Sequence, residues 1–296
     1  MTPIQDDDFD QDTTATAGPA WLGPKASEHE RVTRSRAGPG LSLRSLLPNA
    51  ITAAALCSGL TGIRFAIGEN WTMAIFAIIL AGMLDGIDGR IARLLKAQSR
   101  FGAELDSLAD SLSFGMAPAL VLYLWALQDM PRIGWFAALA FAICCALRLA
   151  RFNAQIDLEE QPHKSAGFLT GVPAPMGAGL GFLPVYLWLA SGEAIFRDPL
   201  LVGIWTVIVA VLMVSNLATP SWQSLRPGNN FKLAAIALAG LLVAALLTEP
   251  WWTLAVVSLV YLVLIPWAVL GYGRVKRAKR AALAEKREDD PTLREA

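Results

Sequence analysis

Four aspartates stand where an apolar chain has least use for them. Asp85, Asp88, Asp106 and Asp110 fall in or beside stretches otherwise rich in Leu, Ile, Ala, Met and Phe. An ionisable side chain at mid-bilayer costs roughly 2.5–3.5 kcal/mol on insertion scales, so four of them facing lipid would be prohibitive. They must face one another, a cation or a water-filled cavity. Asp85 and Asp88 are three residues apart, Asp106 and Asp110 four apart, so each pair shares one helix face. The two histidines, His29 and His163, lie outside the apolar runs. Any acid–base or metal chemistry within the membrane therefore falls to carboxylates. Oxygen ligands without His or Cys suit Mg²⁺ or Mn²⁺. Close carboxylates cannot all stay ionised without a cation, and a pair of divalent ions is the clamp a displacement at pyrophosphate would use.

The residues between the acids fit the same chemistry. Gly89 and Gly102 allow close approach of a ligand or a neighbouring backbone, as Gly82 and Gly86 do for helix packing. Arg93 offers a charge to phosphate or nucleotide oxygens. Two other readings of these residues stand beside this one. The acids could form a packing network with Arg90, Arg93 and Arg100, or they could mark a cation path. A transport path usually places its acids at the bilayer midplane on broken helices. Here they lie near one interface, beside arginines that would repel a permeating cation.

The elements that must position these side chains are helices. The chain has 296 residues, 54% hydrophobic and 17% charged, against about 45–50% and about 25% in soluble domains. Apolar runs long enough to cross a bilayer, or nearly so, lie at 48–68, 71–94, 103–127, 133–150, 170–190, 200–217, 232–248 and 252–271. The pattern predicts an all-α, polytopic transmembrane helix bundle of about eight spans. Asp85 and Asp88 then sit on the second span and Asp106 and Asp110 on the third, antiparallel neighbours joined by a short loop. With both termini cytoplasmic, only Arg64, Arg132 and Arg197 of the 25 basic residues fall outside, as the positive-inside bias requires. Trp71, Trp135, Trp251 and Trp252 then fall near the outer interface. Residues 1–40 are polar and aperiodic and are expected to be a disordered cytoplasmic tail rather than a signal peptide. Residues 274–296, basic and then mixed, read as a second cytoplasmic tail. The formal net charge is zero, and no nucleic-acid partner is expected. The three cysteines show no metal or disulfide spacing.

Written as a pattern, the central stretch is D-x2-D-G-x2-A-R-x8-G-x3-D-x3-D, formed by Asp85, Asp88, Gly89, Ala92, Arg93, Gly102, Asp106 and Asp110. This resembles the signature of the CDP-alcohol phosphatidyltransferases at every position. The resemblance implies a six-helix core over residues 41–218, usually dimeric, with a polar cavity open to the cytoplasm. Residues 219–273 would add two further helices. It implies that Asp85, Asp88, Asp106 and Asp110 hold divalent metal at the CDP pyrophosphate. Gly89, Ala92, Arg93 and Gly102 would line the nucleotide site, and Asp110 would also be the general base. Mg²⁺ or Mn²⁺, with two ions per site, is the implied cofactor.

Further segments resemble bacterial, membrane-embedded phosphatidylserine synthases. They are Leu47 to Thr52, Asp106 to Pro118, Arg148 to Asn153, and Gly171 to Pro175. That resemblance implies transfer of the phosphatidyl group of CDP-diacylglycerol to L-serine, with release of CMP, in a bacterial cytoplasmic membrane. Serine would need a cation for its carboxylate. Arg148, Arg151 and Lys164 cluster at the same membrane face as the acids, and Asn153 could add a hydrogen bond. The same basic residues could be positive-inside anchors, and a phosphorylated acceptor such as glycerol 3-phosphate or inositol phosphate would also want them; choline is a further candidate. Charge alone does not choose among these acceptors; the segment resemblance favours serine.

Overall fold

The computed structural model describes residues 43–156, 168–215, 218–220 and 232–267. Each apolar run forms helix. Helix α1 spans Leu43–Ile67 and α2 spans Trp71–Leu94. The third run comprises α3 (Arg100–Asp110), a π-helical segment (Ser111–Met116) and α4 (Ala117–Trp125). Helix α5 covers Pro131–Ile156, α6 and α7 cover Ala174–Gly181 and Leu183–Ser191, and α8 covers Pro199–Val214. Helices α9 (Lys232–Thr248) and α10 (Pro250–Trp267) follow.

Among the described residues, six helical stretches are long and apolar enough to cross a membrane: Leu46–Ile67, Trp71–Leu94, Arg100–Trp125, Pro131–Ala154, Ala174–Ser191 and Pro250–Trp267. The other two expected spans, in α8 and α9, are apolar helices of 16 and 17 residues. They fall short of the roughly 20 residues that a bilayer core takes. Among the described residues the bundle is helical, as its composition predicts, apart from a three-residue pairing between loops, in which β1 (Phe168–Thr170) runs antiparallel to β2 (Ala218–Pro220) with Leu169 opposite Thr219. Just after β1, Gly171 has φ +75°, and a Cβ there would meet the Met213 carbonyl oxygen at 2.6 Å and that of Ser215 at 2.8 Å. Only glycine fits such a turn. Both terminal tails, 1–40 and 274–296, lie outside the described residues.

Two apolar clusters hold the bundle. One gathers Ile75, Ile78, Val121, Leu122, Trp125, Phe182 and Val202 from α2, α4, α7 and α8 and the residues flanking them. The other joins Phe114, Phe141, Cys145, Leu180, Val209 and Met213, and takes Tyr261 and Ile265 from α10. Helix α10 buries Ala255, Ser258, Tyr261 and Ile265, a three-and-four spacing that is one helical stripe. In α9 the described side chains are exposed, apart from Ala245, which is half-buried.

Local chemistry shapes the segments that carry the acids. Helix α2 ends in a Schellman turn, with Ala97 N–H donating to the Ala92 carbonyl at 2.9 Å and Lys96 N–H to that of Arg93 at 3.2 Å. Lys96 takes the left-handed position at φ +50°, where glycine is usual. Ser99 then caps α3, its hydroxyl accepting from Gly102 N–H at 3.0 Å. The π-helical segment begins directly after Asp110. Pro118 supplies no N–H to the turn before it, and the chain passes into π register, with Ala117 N–H bonding the Leu112 carbonyl. The sequence pattern did not foretell this break.

Candidate active site

Helices α2 and α3 bring three of the four acids together. Asp85, Asp88 and Asp106 each offer a carboxylate oxygen, and these oxygens lie within 4.8 Å of one another. Asp110 stands one turn beyond Asp106, its carboxyl against that of Asp85. Its Oδ1 is buried without a hydrogen-bond partner. Asp88 is only 3% exposed, and Thr52 of α1 donates a hydrogen bond to its Oδ2 at 2.6 Å. No ion pair joins these acids to Arg90, Arg93 or Arg100 among the described residues; Arg93 instead donates its Nε to the Gly89 carbonyl at 3.1 Å. The acids are therefore not a packing network held by those arginines. Three converging carboxylates and a fourth with one unpartnered oxygen are a hard-oxygen donor set that fits a divalent cation.

Two cavities meet at this cluster. One, of about 450 Å³, is lined by Gly89, Ala92, Arg93 and Gly102 together with Asp88 and Asp106. Every residue that the motif suggested for the nucleotide therefore faces one space. Pro48, Asn49 and Thr52 of α1 complete its wall. A Cβ on Gly89 would meet nothing within 4 Å, so packing does not demand glycine there. At Gly102 a Cβ would press on Asn49 Oδ1 at 2.8 Å, so glycine is what lets α1 and α3 approach. Gly82 packs against Phe114, whereas a Cβ on Gly86 would meet nothing within 4 Å among the described residues, so the packing role expected of Gly86 is not seen there.

The second cavity, of about 610 Å³, is lined by Asp106, Ser107, Asp110, Phe152 and Asn153 among others. Ala103 and Asp106 border both spaces, so one turn of α3 is a wall common to the two. Asn153 Nδ2 donates to Ser107 Oγ at 2.8 Å. The Arg148 guanidinium lies 5.7 Å from the centre of the Phe152 ring, and its Nε is buried without a hydrogen-bond partner. Arg151 Nη2 donates to the Val214 carbonyl at 2.6 Å, tying α5 to the end of α8. Lys164 lies outside the described residues. Sequence reasoning passed over Ser107 and gave Thr52 no role. A hydroxyl in an apolar span was the available signal for Thr52.

A family model described as CDP-alcohol phosphatidyltransferase matches residues 45–219. The chain belongs to that family. A second model, CDP-alcohol phosphatidyltransferase 2, matches residues 232–266, so the two helices beyond the core are also family material. The CDP-diacylglycerol–serine O-phosphatidyltransferase of Mycobacterium bovis is 37% identical over 238 residues, covering 80% of this chain and 82% of the relative. The enzyme of the same name from Helicobacter pylori is 34% identical over 231 residues, 76% of this chain and 92% of the relative. That of Bacillus subtilis is 34% identical over 177 residues, 60% and 91%. CDP-alcohol phosphatidyltransferases generally use divalent metals, and the Asp85–Asp88–Asp106 cluster could hold one. Six apolar helices and membership of a phospholipid-synthesising family make this an integral membrane protein.

Proposed function

We propose that this chain is a phosphatidylserine-forming transferase, moving the phosphatidyl group of CDP-diacylglycerol to the hydroxyl of L-serine and releasing CMP. The observation that carries the reading is the common wall. Asp106 faces both the cavity bearing the nucleotide motif and the cavity bearing Asp110 and Asn153. Two substrates held on either side of one helical turn can meet at the acids, which is the positioning a displacement needs. Serine as acceptor is supported by the names of the relatives that align with four-fifths of this chain.

In this reading Gly89, Ala92, Arg93 and Gly102 seat the CDP group, with Arg93 held over the Gly89 turn by its Nε bond. Asp85, Asp88 and Asp106 would hold Mg²⁺ or Mn²⁺, and Asp110 supplies the fourth carboxylate for a two-ion site. The bound metal would neutralise the pyrophosphate and stabilise charge developing at phosphorus. Asp110 accepts the serine hydroxyl proton. The serine oxygen then bonds to the phosphorus carrying the diacylglycerol, the pyrophosphate bridge breaks, and CMP departs with the bonding electron pair. Asn153, Arg148 and Arg151, with Lys164, orient serine, the basic residues supplying positive charge for its carboxylate.

The reading includes a placement. Eight crossings, with residues 41–218 as the catalytic core and 219–273 as an added helix pair, put both termini and the acids on the cytoplasmic side of a bacterial inner membrane. The distribution of Lys and Arg supports it. A homodimer is part of the same reading, on the family resemblance alone. The test is CMP release by the purified chain from CDP-diacylglycerol with Mn²⁺ or Mg²⁺, with and without L-serine. Release that needs both metal and serine is expected. Turnover with glycerol 3-phosphate but not serine would reassign the acceptor.

A further inference from the structure

Among the described residues, Thr52 is the α1 side chain hydrogen-bonded to an acid of the cluster, and its hydroxyl has a choice of acceptors. It lies 2.6 Å from Asp88 Oδ2 and 3.1 Å from the Pro48 carbonyl oxygen one turn back. A threonine hydroxyl has a single proton to give. The backward bond to i−4 is what a threonine in an apolar helix makes by default. Here the shorter contact runs instead across the helix interface to a carboxylate, and a hydrogen bond to an ionised acceptor is the stronger of the two. Both residues are buried, Thr52 at 4% and Asp88 at 3% exposure. The contact is thus shielded from competing water.

We infer that Thr52 is a positioning residue for the cation site: its hydroxyl fixes the Asp88 carboxylate by holding Oδ2, so that Asp88 presents itself to the metal in one orientation. The inference rests on the cation role given to Asp88 above. Asp88 sits on α2 facing the nucleotide cavity, and a free carboxylate there could rotate about its last bond. Asp85 and Asp106, whose ligand oxygens lie within 4.8 Å of that of Asp88, repel it in the absence of metal. A donor anchored on another helix resists that rotation. Hydrogen-bonded partners behind metal ligands are typically worth about 10–100-fold in affinity. Asn49 shows that α1 is held close at this level: it abuts Gly102 on α3. Helix α1, which carries none of the four acids, therefore contributes to the site through orientation.

The test compares the full-length purified chain with Thr52→Ser and Thr52→Val, measuring Mn²⁺ binding by electron paramagnetic resonance without substrate. Valine keeps the shape and removes the proton; serine keeps the proton and removes the methyl. Thr52→Val is expected to weaken Mn²⁺ binding about tenfold or more, and Thr52→Ser to restore most of it. Thermal unfolding without metal reports whether each variant is folded. If Thr52→Val does not fold, Thr52→Ala carries the same comparison. Wild-type Mn²⁺ affinity in the hydroxyl-free variant overturns the inference, as does equal weakening in the serine variant. Mn²⁺ binding that follows this pattern without serine-dependent CMP release overturns the proposed reaction and leaves Thr52 its role.

Discussion

Arg197 and Asp88 are both charged residues drawn against apolar helices, near opposite ends of α2, and the protein treats them differently. Arg197 lies in the short 3-10 turn Ala194–Arg197 before α8. Its guanidinium is 5.9 Å from the Trp71 ring centre and 5.6 Å from that of Trp188. Its Nε donates to the Trp125 carbonyl at 3.0 Å, one of the carbonyls that the end of α4 leaves unpaired. Cation–π contact and a helix C-terminus both favour a positive charge. Asp88 takes hydrogen bonds from Thr52 and from the Gly89 backbone N–H, and otherwise faces a cavity and two more acids. A charge whose partners are all protein holds helices together. A charge left among like charges is one that a cation could satisfy.

Asp110→Asn should break the ligand side of this comparison most severely. On the proposed mechanism it removes the base, and turnover should fall by about 10²–10⁴-fold with the unfolding temperature unchanged. Near-wild-type turnover would remove Asp110 from the chemistry. Arg197→Met probes the other end and should invert the pattern. Losing a hydrogen bond from a charged donor costs about 1.5–3 kcal/mol, so thermal unfolding in detergent should come earlier while kcat of the folded fraction holds. Loss of turnover at an unchanged unfolding temperature would make Arg197 functional instead. Arg93→Ala should raise the apparent KM for CDP-diacylglycerol about tenfold, as expected for one lost charge-assisted contact, and that for serine much less. Equal rises would make Arg93 structural. The smallest effect belongs to Gly86→Ala. With nothing within 4 Å of the added methyl, neither turnover nor stability should suffer, since alanine also suits a helix interior better than glycine. A large loss would reveal a neighbour at that face, such as a second copy of the chain.

The positions of the helices were legible because bilayer thickness sets a length that apolar runs must meet. The run at 71–94 coincides with α2, and the acid spacing put the right side chains on facing surfaces. What stayed hidden depends on backbone register or on distant contacts. Hydropathy does not distinguish an α turn from the π register of Ser111–Met116. Arg151 looked like Arg148 in sequence, both basic near the end of one span. Its bond to Val214, 63 residues away, is a contact that local pattern does not reveal. The β1–β2 pairing likewise joins segments separated by α6, α7 and α8. Thr52 entered only as the end of a resembling segment, and its partner, 36 residues on, is invisible to local pattern.

The turn of α3 bearing Ala103 and Asp106 has a consequence for inhibitor chemistry. Because both residues border the two cavities, a cytidine fragment in one and an amino-acid fragment in the other would be separated by a single helical turn. A tether reaching around it would make the second fragment's binding intramolecular, at an effective concentration in the millimolar range for a short flexible link. Weak fragments joined in that way would gain affinity without any new contact, and neither half alone would reveal it.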